Sequence, residues 1–334
     1  MNPLKHLPKA ELHRHLEGAI RLETVKELAQ AHGLDLPADH GEFREKVLVT
    51  RPMENLGVVL GKFWLTQSVL STEEILERIT FEAVEDAYNE GIRVLELRYA
   101  PNFILENHPN LTFDSIHQSI LRGLERAKKQ FPMAVGLIGI VVRVDPMDEC
   151  ESVANFIIDN RDTFLAIDLA GDEAGYPCKT FAPLFMKAKK AGLRVTVHSG
   201  EADQPGAAEF VRDAIECLGA ERIGHGVQIY RDPKMIEFVK SEKVVLELCP
   251  TSNWLTNAVK NLGAHPIRFL GDQGVAVTVN SDDPGLFGID LTNEYHVLHN
   301  ELGFSVDELR KLADEAARHS FIPIEERRKV WPGL

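Results

Sequence analysis

Short clusters of histidine and carboxylate residues stand at four places in the 334-residue chain. They read His13-Arg14-His15-Leu16-Glu17, His198-Ser199-Gly200-Glu201, Gly224-His225-Gly226 and Ser281-Asp282-Asp283-Pro284. Imidazole nitrogens and carboxylate oxygens are the donors that zinc and similar metals prefer, and both groups transfer protons near neutral pH. The residue types therefore indicate metal-dependent acid–base chemistry, provided that the fold brings the clusters together.

The first cluster contains two histidines separated by one residue. Side chains two positions apart on a β-strand point to the same side, so His13 and His15 would share one pocket. The chain has 13 histidines, and two of them can meet this spacing by chance. Taken alone, this spacing leaves an alternative open, in which the two histidines pack in the core or lie on the surface and bind nothing.

Eight short runs of apolar and β-branched residues alternate with amphipathic stretches of helical period. The predicted strands are Ala10–His15, Arg93–Tyr99, Val135–Val142, Leu165–Leu169, Arg194–His198, Arg222–Gly224, Val244–Leu248 and Val275–Asn280. The predicted helices between them include Thr72–Glu90, Phe113–Lys129, Thr180–Ala191, Ala207–Leu218, Pro233–Ser241 and His265–Gln273. We find no linker or composition break, so the pattern predicts one α/β domain over residues 1–334, a (β/α)8 TIM barrel rather than an open doubly wound sheet.

The residues beyond a minimal barrel predict extra helices at two places. Arg21–His32 and Glu42–Val69 follow the first strand, and the latter region is a natural lid over the barrel mouth. Ser305–His319 and Ile324–Trp331 are predicted to add helices at the C-terminus.

The carboxyl ends of the strands meet at one mouth of such a barrel, so the four clusters are predicted to converge there. His198 and Asp282 end strands whose interiors we expect to be apolar. Packing alone therefore does not require a polar side chain at either position. Three imidazoles and one carboxylate predict a zinc site, with iron, cobalt or manganese as alternatives, and the ligands are His13, His15, His198 and Asp282. Residues 166–173 offer no lysine that could bridge two metals, so one ion per chain is expected.

Composition excludes several other classes of function. The chain has 37 Lys and Arg against 51 Asp and Glu, a net charge of −14, which repels nucleic acid and anionic membrane surfaces. Its 4 cysteines form no C-x-x-C pair, so a cysteine-ligated base deaminase site is excluded, and no segment resembles a signal peptide or a bilayer span. We expect a cytoplasmic protein with a small-molecule ligand, and the sequence leaves the oligomeric state open.

Seven motifs recur in a familiar order: HRHLEG at 13–18, ELRYAP at 96–101, IDLAGDE at 167–173, HSGE at 198–201, RIGHG at 222–226, CPTSN at 249–253 and NSDDP at 280–284. From about Leu7 to Ile324 the chain resembles the adenosine deaminase family. The resemblance implies a (β/α)8 enzyme with one zinc ion. Such an enzyme hydrolyses the 6-amino group of adenosine, and of 2′-deoxyadenosine, to the carbonyl of the inosine product and releases ammonia.

The resemblance also implies roles for individual residues. The metal ligands would be His13, His15, His198 and Asp282. Glu201 would protonate purine N1, while His225 and Asp282 would hold the water-derived hydroxide that attacks C6. The substrate would also meet His15, Glu17 at the ribose 5′ end, the backbone N–H of Gly171 at N3, and Asp283 at N7.

The chemistry of the purine ring supports two of these roles independently. Addition at C6 avoids a ring anion only if N1 is protonated, so Glu201 must be a carboxylic acid with a raised pKa in a dry site. Purine N7 is only an acceptor, so Asp283 must donate a proton to it. The alternatives are that both acids cap helices, that His225 is a turn residue, and that Gly171 is a turn glycine.

The glutamate at position 17 is compatible with more than one class of substrate. Relatives that act on free adenine often carry glutamate here, where nucleoside-specific members carry aspartate, whereas IDLAGDE and RIGHG resemble the nucleoside branch. Aminofutalosine-type nucleosides and N6-methyl-AMP are further alternatives, as are an unrelated metallohydrolase and a silent metal-binding protein. Phe63, Trp64 and Leu65 are candidates for an apolar wall over the purine, and Ser252-Asn253 could be pocket groups or a turn.

Overall fold

The computed structural model describes residues 4–334, which contain eight parallel strands in the spatial order of the sequence. The strands are β1 (Lys9–His15), β2 (Ile92–Tyr99), β3 (Ala134–Val142), β4 (Phe164–Ala170), β5 (Arg194–Ser199), β6 (Arg222–His225), β7 (Val245–Leu248) and β8 (Ala276–Val279). Each strand pairs in parallel with the next. The predicted (β/α)8 barrel is therefore confirmed, and the strand bounds differ from the predicted ones by only one or two residues.

The barrel closes at a seam between β8 and β1. Arg14 and Asp282 form a parallel bridge there. The backbone N–H of His15 donates to the carbonyl of Asp282, and the N–H of Asp282 donates to the carbonyl of His13, both at 3.0 Å. Closure thus runs through the predicted metal-binding residues themselves.

Seventeen α-helices of the described residues surround the barrel and cover its mouth. They are α1 (Leu22–Ala31), α2 (His40–Val47), α3 (Leu56–Leu60), α4 (Trp64–Val69), α5 (Glu73–Asn89), α6 (Pro101–Leu105), α7 (Phe113–Lys128), α8 (Met147–Asp159), α9 (Ala182–Lys190), α10 (Ala207–Leu218), α11 (Pro233–Glu242), α12 (Pro250–Leu255), α13 (Ile267–Asp272), α14 (Pro284–Phe287), α15 (Leu291–Asn300), α16 (Val306–His319) and α17 (Ile324–Val330). Short 3₁₀ turns occupy Gly61–Phe63, Cys178–Phe181, Val227–Arg231 and Leu262–Ala264. None of these helices combines the length and apolarity needed to cross a bilayer.

Local signals explain where the helices begin. Thr72 accepts a hydrogen bond from the N–H of Ile75 at the start of α5, and Thr112 forms a capping box with Ser115 at the start of α7. The extra helices occur after β1 and at the C-terminus, as predicted. The predicted set lacked α8 and α15, and it did not resolve Glu42–Val69 into separate short helices.

The interior of the barrel contains a network of buried charged side chains. Arg98 on β2 donates to Asp168 on β4 at 2.8 Å and to Glu247 on β7 at 2.7 Å, so the network crosses the barrel. Arg222 on β6 joins it through Glu247 at 2.6 Å and through Glu96. Buried charges are tolerated only when they are paired and hydrogen-bonded, as these are. The interiors of β5 and β8, the two strands that we expected to be apolar, contain only valine and threonine, so the charges lie on other strands.

Candidate active site

The four predicted metal ligands lie together at the carboxyl end of the barrel. His13 and His15 belong to β1, His198 lies near the end of β5, and Asp282 follows β8. Their donor atoms all lie within 4.8 Å of one another. Nε2 of His15 is 3.2 Å from Nε2 of His198 and 3.3 Å from Oδ1 of Asp282, which is in turn 3.2 Å from Nε2 of His13.

Buried atoms without partners show that this cluster fits a metal ion. Within residues 4–334, Nε2 of His13 and Oδ1 of Asp282 are buried without a hydrogen bond of good geometry, although they lie 3.2 Å from each other. Nε2 of His15 and Nε2 of His198 lie only 3.2 Å apart, close enough for one cation to bind both nitrogens. Three nitrogens and one carboxylate oxygen are a donor set typical of zinc and related transition metals.

Two carboxylates inside the barrel orient the histidines. Glu247 Oε2 lies 2.7 Å from Nδ1 of His13, and Asp168 Oδ1 lies 3.1 Å from Nδ1 of His198. Burial opposes ionisation of Glu247, yet Arg98 and Arg222 hold its pKa well below the ordinary value. An ionised carboxylate only accepts, so each Nδ1 carries the proton and each Nε2 presents its lone pair to the cluster.

The sequence analysis missed Asp168 and Glu247 as functional residues. Each is a single acid inside an otherwise apolar strand, in Ala166-Ile167-Asp168-Leu169 and Val245-Leu246-Glu247-Leu248. Both are completely buried. An isolated acid inside a barrel strand was the available signal, because such a group needs a buried cationic partner.

A cavity of about 250 Å³ opens above the donor cluster. The early insertion supplies Leu56, Val59, Leu60 and Phe63, and apolar residues of β3 and β4 complete the walls. The floor is polar and contains His15, Glu17, Gly171, His198, Glu201, His225, Ser252, Asp282 and Asp283. All the predicted substrate-binding residues thus line one cavity that is largely apolar, as ligand pockets usually are.

Two weaker expectations are resolved only in part. Phe63 lines the cavity, whereas Trp64 is exposed and Leu65 is buried outside the lining. Ser252 lines the cavity, while Asn253 lies behind it.

A larger cavity of about 700 Å³ is lined in part by Arg14 and Arg21, and both arginines form ion pairs with acidic side chains.

Glu201 is a buried acid on the floor of the cavity. It is 5% exposed, and burial together with the negative charges of Asp282 and Glu173 raises its pKa to about 8. Glu173 also fixes the loop, since its carboxyl group accepts the backbone N–H groups of Gly200, Glu201 and Ala202 at 2.7–2.8 Å. Helix α10 begins at Ala207 without a side-chain cap, so Glu201 is not its cap.

Asp283 and Glu17 both present an unpartnered oxygen at the cavity. Asp283 stands just before α14 but makes no capping hydrogen bond, and its Oδ1 is buried with no partner in the described chain. A methyl group at Gly18 would lie 1.8 Å from that atom, so this glycine leaves room for the carboxyl group. Glu17 Oε1 accepts the N–H of Ala100 at 2.7 Å, while Oε2 has no partner within residues 4–334.

His225 and Gly171 combine unusual backbone angles with a place in the site. His225 has φ of 63° and Gly171 has φ of 103°, so the turn character considered for both is real. The side chain of His225 nevertheless reaches the cavity, with Nε2 3.6 Å from Glu201 Oε2 and 3.8 Å from Asp282 Oδ2. Left-handed backbone at a non-glycine residue is uncommon, and the described chain has it at His225 and Asp282 in the site and at three residues outside the cavity lining.

Comparison with known proteins agrees with this geometry. A family model described as "Adenosine deaminase" matches residues 8–334. The chain is 35% identical over 328 residues to an adenosine deaminase of Shewanella denitrificans, with 98% of each chain covered.

Solved structures with the same fold include deaminases of different substrates. An adenine deaminase from Arthrobacter aurescens has 30% identity and a TM-score of 0.88, covering 97% of this chain and 96% of the other. The N6-mAMP deaminase of Arabidopsis has 26% identity and a TM-score of 0.84, covering 99% and 98%.

Proposed function

Because the chain belongs to the adenosine deaminase family, we propose that it hydrolyses the 6-amino group of adenosine and 2′-deoxyadenosine. The products are the corresponding inosines and ammonia. One observation carries the proposal: a buried acid with a raised pKa, Glu201, shares a cavity of about 250 Å³ with a cluster of three histidines and one aspartate.

We assign the metal as one zinc ion per chain, held by His13, His15, His198 and Asp282. A bound zinc ion lowers the pKa of a water ligand to about 7 and so provides a nucleophile at neutral pH. Asp168 and Glu247 contribute by keeping the Nε2 atoms of His198 and His13 free of protons.

The chain's own acid supplies the proton that the ring requires. Purine resists addition at C6, and protonation of N1 by Glu201 avoids a ring anion. At neutral pH a carboxyl group with a pKa of about 8 is mostly protonated, so Glu201 is in the form that donates. His225 and Asp282, which flank Glu201, hold the attacking oxygen over C6.

Groups on the cavity floor orient the purine. We assign Asp283 to N7, where the carboxyl group must be protonated to donate, and burial favours that form. The Gly171 backbone N–H is assigned to N3 and the free Oε2 of Glu17 to the ribose 5′-hydroxyl. Burial raises the pKa of Glu17 to about 7, so this group can donate or accept.

The lining of the cavity favours a substrate without a phosphate group. Among its described residues there is no lysine or arginine, and Glu17, Glu201, Asp282 and Asp283 contribute carboxyl groups. A nucleotide needs cations or a helix N-terminus to balance its phosphate. We therefore place N6-methyl-AMP behind the nucleosides, and modified nucleosides such as aminofutalosine remain alternatives.

Free adenine is the second candidate. It is favoured by Glu17 and by the 30% identity to an adenine deaminase. Adenine would fill the same purine site and leave the sugar end of the cavity to water.

The assay that tests the function offers metal-analysed protein adenosine, 2′-deoxyadenosine, adenine and AMP in parallel, and follows absorbance for conversion to the 6-oxo product. We expect turnover of both nucleosides with about one zinc per chain. Adenine as the only substrate would replace the main proposal by the second, and turnover of none of the four would refute both.

The same protein would act in the cytoplasm. Cys150, Cys178, Cys217 and Cys249 are free thiols in the described structure, which fits a reducing compartment.

A further inference from the structure

A chain of hydrogen bonds leads from a backbone amide to His225. The N–H of Ile267 donates to Nδ1 of His265 at 3.2 Å. Nε2 of His265 lies 3.1 Å from Oδ1 of Asn253, and Nδ2 of Asn253 lies 3.0 Å from Nδ1 of His225. Asn253 belongs to α12 and His265 precedes α13, and neither side chain lines the cavity.

The three side chains of this relay are almost completely shielded from solvent. Asn253 is 0%, His225 1% and His265 3% exposed. Water therefore cannot replace a misdirected hydrogen bond, and a wrong orientation would leave two donors or two acceptors facing each other without compensation.

The direction of every hydrogen bond follows from the first one. A backbone N–H only donates, so Nδ1 of His265 must be an acceptor and the ring proton sits on Nε2. That proton faces Oδ1 of Asn253, which places the amide NH₂ toward His225. Nδ1 of His225 is then an acceptor, and a neutral His225 carries its proton on Nε2.

We propose that Asn253 and His265 are positioning residues that hold His225 as the Nε2–H tautomer. His225 then donates a hydrogen bond to the oxygen that attacks purine C6, and it does not take the proton from that oxygen. This assignment of His225 rests on the proposed deaminase function, whereas the tautomer itself belongs to the protein without substrate.

The charges around the relay agree with neutral imidazoles. Burial lowers the pKa of His265 to about 3. His225 faces Asp282 and Glu201, and the rings of His13 and His198 lie 4.9 and 5.4 Å from its own. Burial, in spite of Asp282, holds the pKa of His225 well below its ordinary value.

The direct test records the imidazole nitrogen spectrum of the ¹⁵N-histidine-labelled full chain as purified, without substrate. We expect the signals of His225 and His265, assigned by loss in His225→Gln and His265→Gln, to show protonated Nε2 and bare Nδ1. A protonated Nδ1 on His225 would overturn the proposal even if the protein deaminates adenosine. If it deaminates nothing, the tautomer still stands or falls on this spectrum.

Asn253→Asp reverses the relay with almost no change in shape. A carboxylate accepts from both neighbours, so His225 should move its proton to Nδ1 and lose the donor that faces the cavity. We expect kcat to fall about 10²- to 10³-fold, the usual cost of one donor to a developing oxyanion, with little change in KM. Asn261→Asp is the matched control, because Asn261 only accepts the N–H of Gly263.

His265 gives a second and independent variant pair. His265→Gln keeps an N–H donor for Asn253, whereas His265→Leu removes it with a similar volume. We expect kcat of His265→Gln to exceed that of His265→Leu at least about tenfold, with melting temperatures measured for both. Equal kcat values in the two variants, or an unchanged kcat in a folded Asn253→Asp, would contradict the positioning role.

Discussion

Several polar atoms at the mouth of the barrel are buried without a partner in residues 4–334. They belong to His13, Glu17, Asp282 and Asp283. An unsatisfied buried polar group costs about 1–3 kcal/mol, so a native structure keeps such groups mainly where a ligand will satisfy them. Their convergence on one cavity therefore defines the site more sharply than the size of the cavity does.

Replacing Glu201 by glutamine should separate metal binding from proton donation. Glu201→Gln keeps the shape and the loop held by Glu173, so metal content measured by elemental analysis should be unchanged. Activity should fall about 10²- to 10⁴-fold, because an amide cannot protonate N1. A nearly normal rate in this variant would remove Glu201 from the mechanism.

The pH dependence of kcat/KM should report the same group. The pKa of Glu201 is raised to about 8 and the protonated form is active, so kcat/KM should fall as pH rises through about 8. The residual activity of Glu201→Gln should lack this decline. A decline that persists unchanged in the variant would assign it to another group.

Asp283 tests whether a donor is needed at purine N7. Asp283→Asn can still donate a hydrogen bond, whereas Asp283→Ala leaves a gap beside Gly18. We expect steady-state kinetics to show much higher kcat/KM for the asparagine variant, with about 1–3 kcal/mol separating the two. Equal losses would count against the donor role.

The strands of the barrel were easier to predict from the sequence than the charged side chains that some of these strands bury. The eight apolar runs predicted the barrel. In a barrel the strand ends that carry His13, His198 and Asp282 meet at one mouth. Asp168 and Glu247 were missed because their partner, Arg98, is distant in sequence and only strand packing reveals the pairing. Helix α8 was missed although Cys150, Val153, Ala154 and Ile157 form a helical stripe.

The predicted metal-binding pocket depends on β7 through Glu247. Glu247→Gln weakens the orientation of His13 and leaves Arg98 and Arg222 with less buried negative charge. We expect zinc affinity, measured by competition with a chelator, to fall about 10- to 100-fold and the melting temperature to fall as well.

Glu294→Gln is a suitable control for that substitution. Glu294 is also fully buried, burial raises its pKa to about 7, and its Oε2 accepts the backbone N–H of Thr251 at 3.0 Å. The Glu294→Gln variant should keep wild-type zinc affinity. A comparable loss of zinc affinity in both variants would mean that Glu247 acts only through general stability.

The whole molecule should respond to metal removal as one unit. We propose that residues 1–334 form a single domain, so thermal unfolding should show one transition. A metal ion that binds only the native state adds about 2.7 kcal/mol to its stability at 100 times Kd, so chelation of the proposed zinc ion should lower the melting temperature. His13→Ala should lose metal content and activity together, and chelation should barely shift its melting temperature.

The seam between β8 and β1 has a consequence for the order of events during synthesis. His13 and His15 are synthesised before β2 to β8, whereas Asp282 follows β8, and backbone hydrogen bonds across the closing seam join these residues. A nascent chain thus holds only part of the proposed ligand set until β8 has been made. We therefore expect tight capture of the metal to coincide with barrel closure, after Asp282 has left the ribosome.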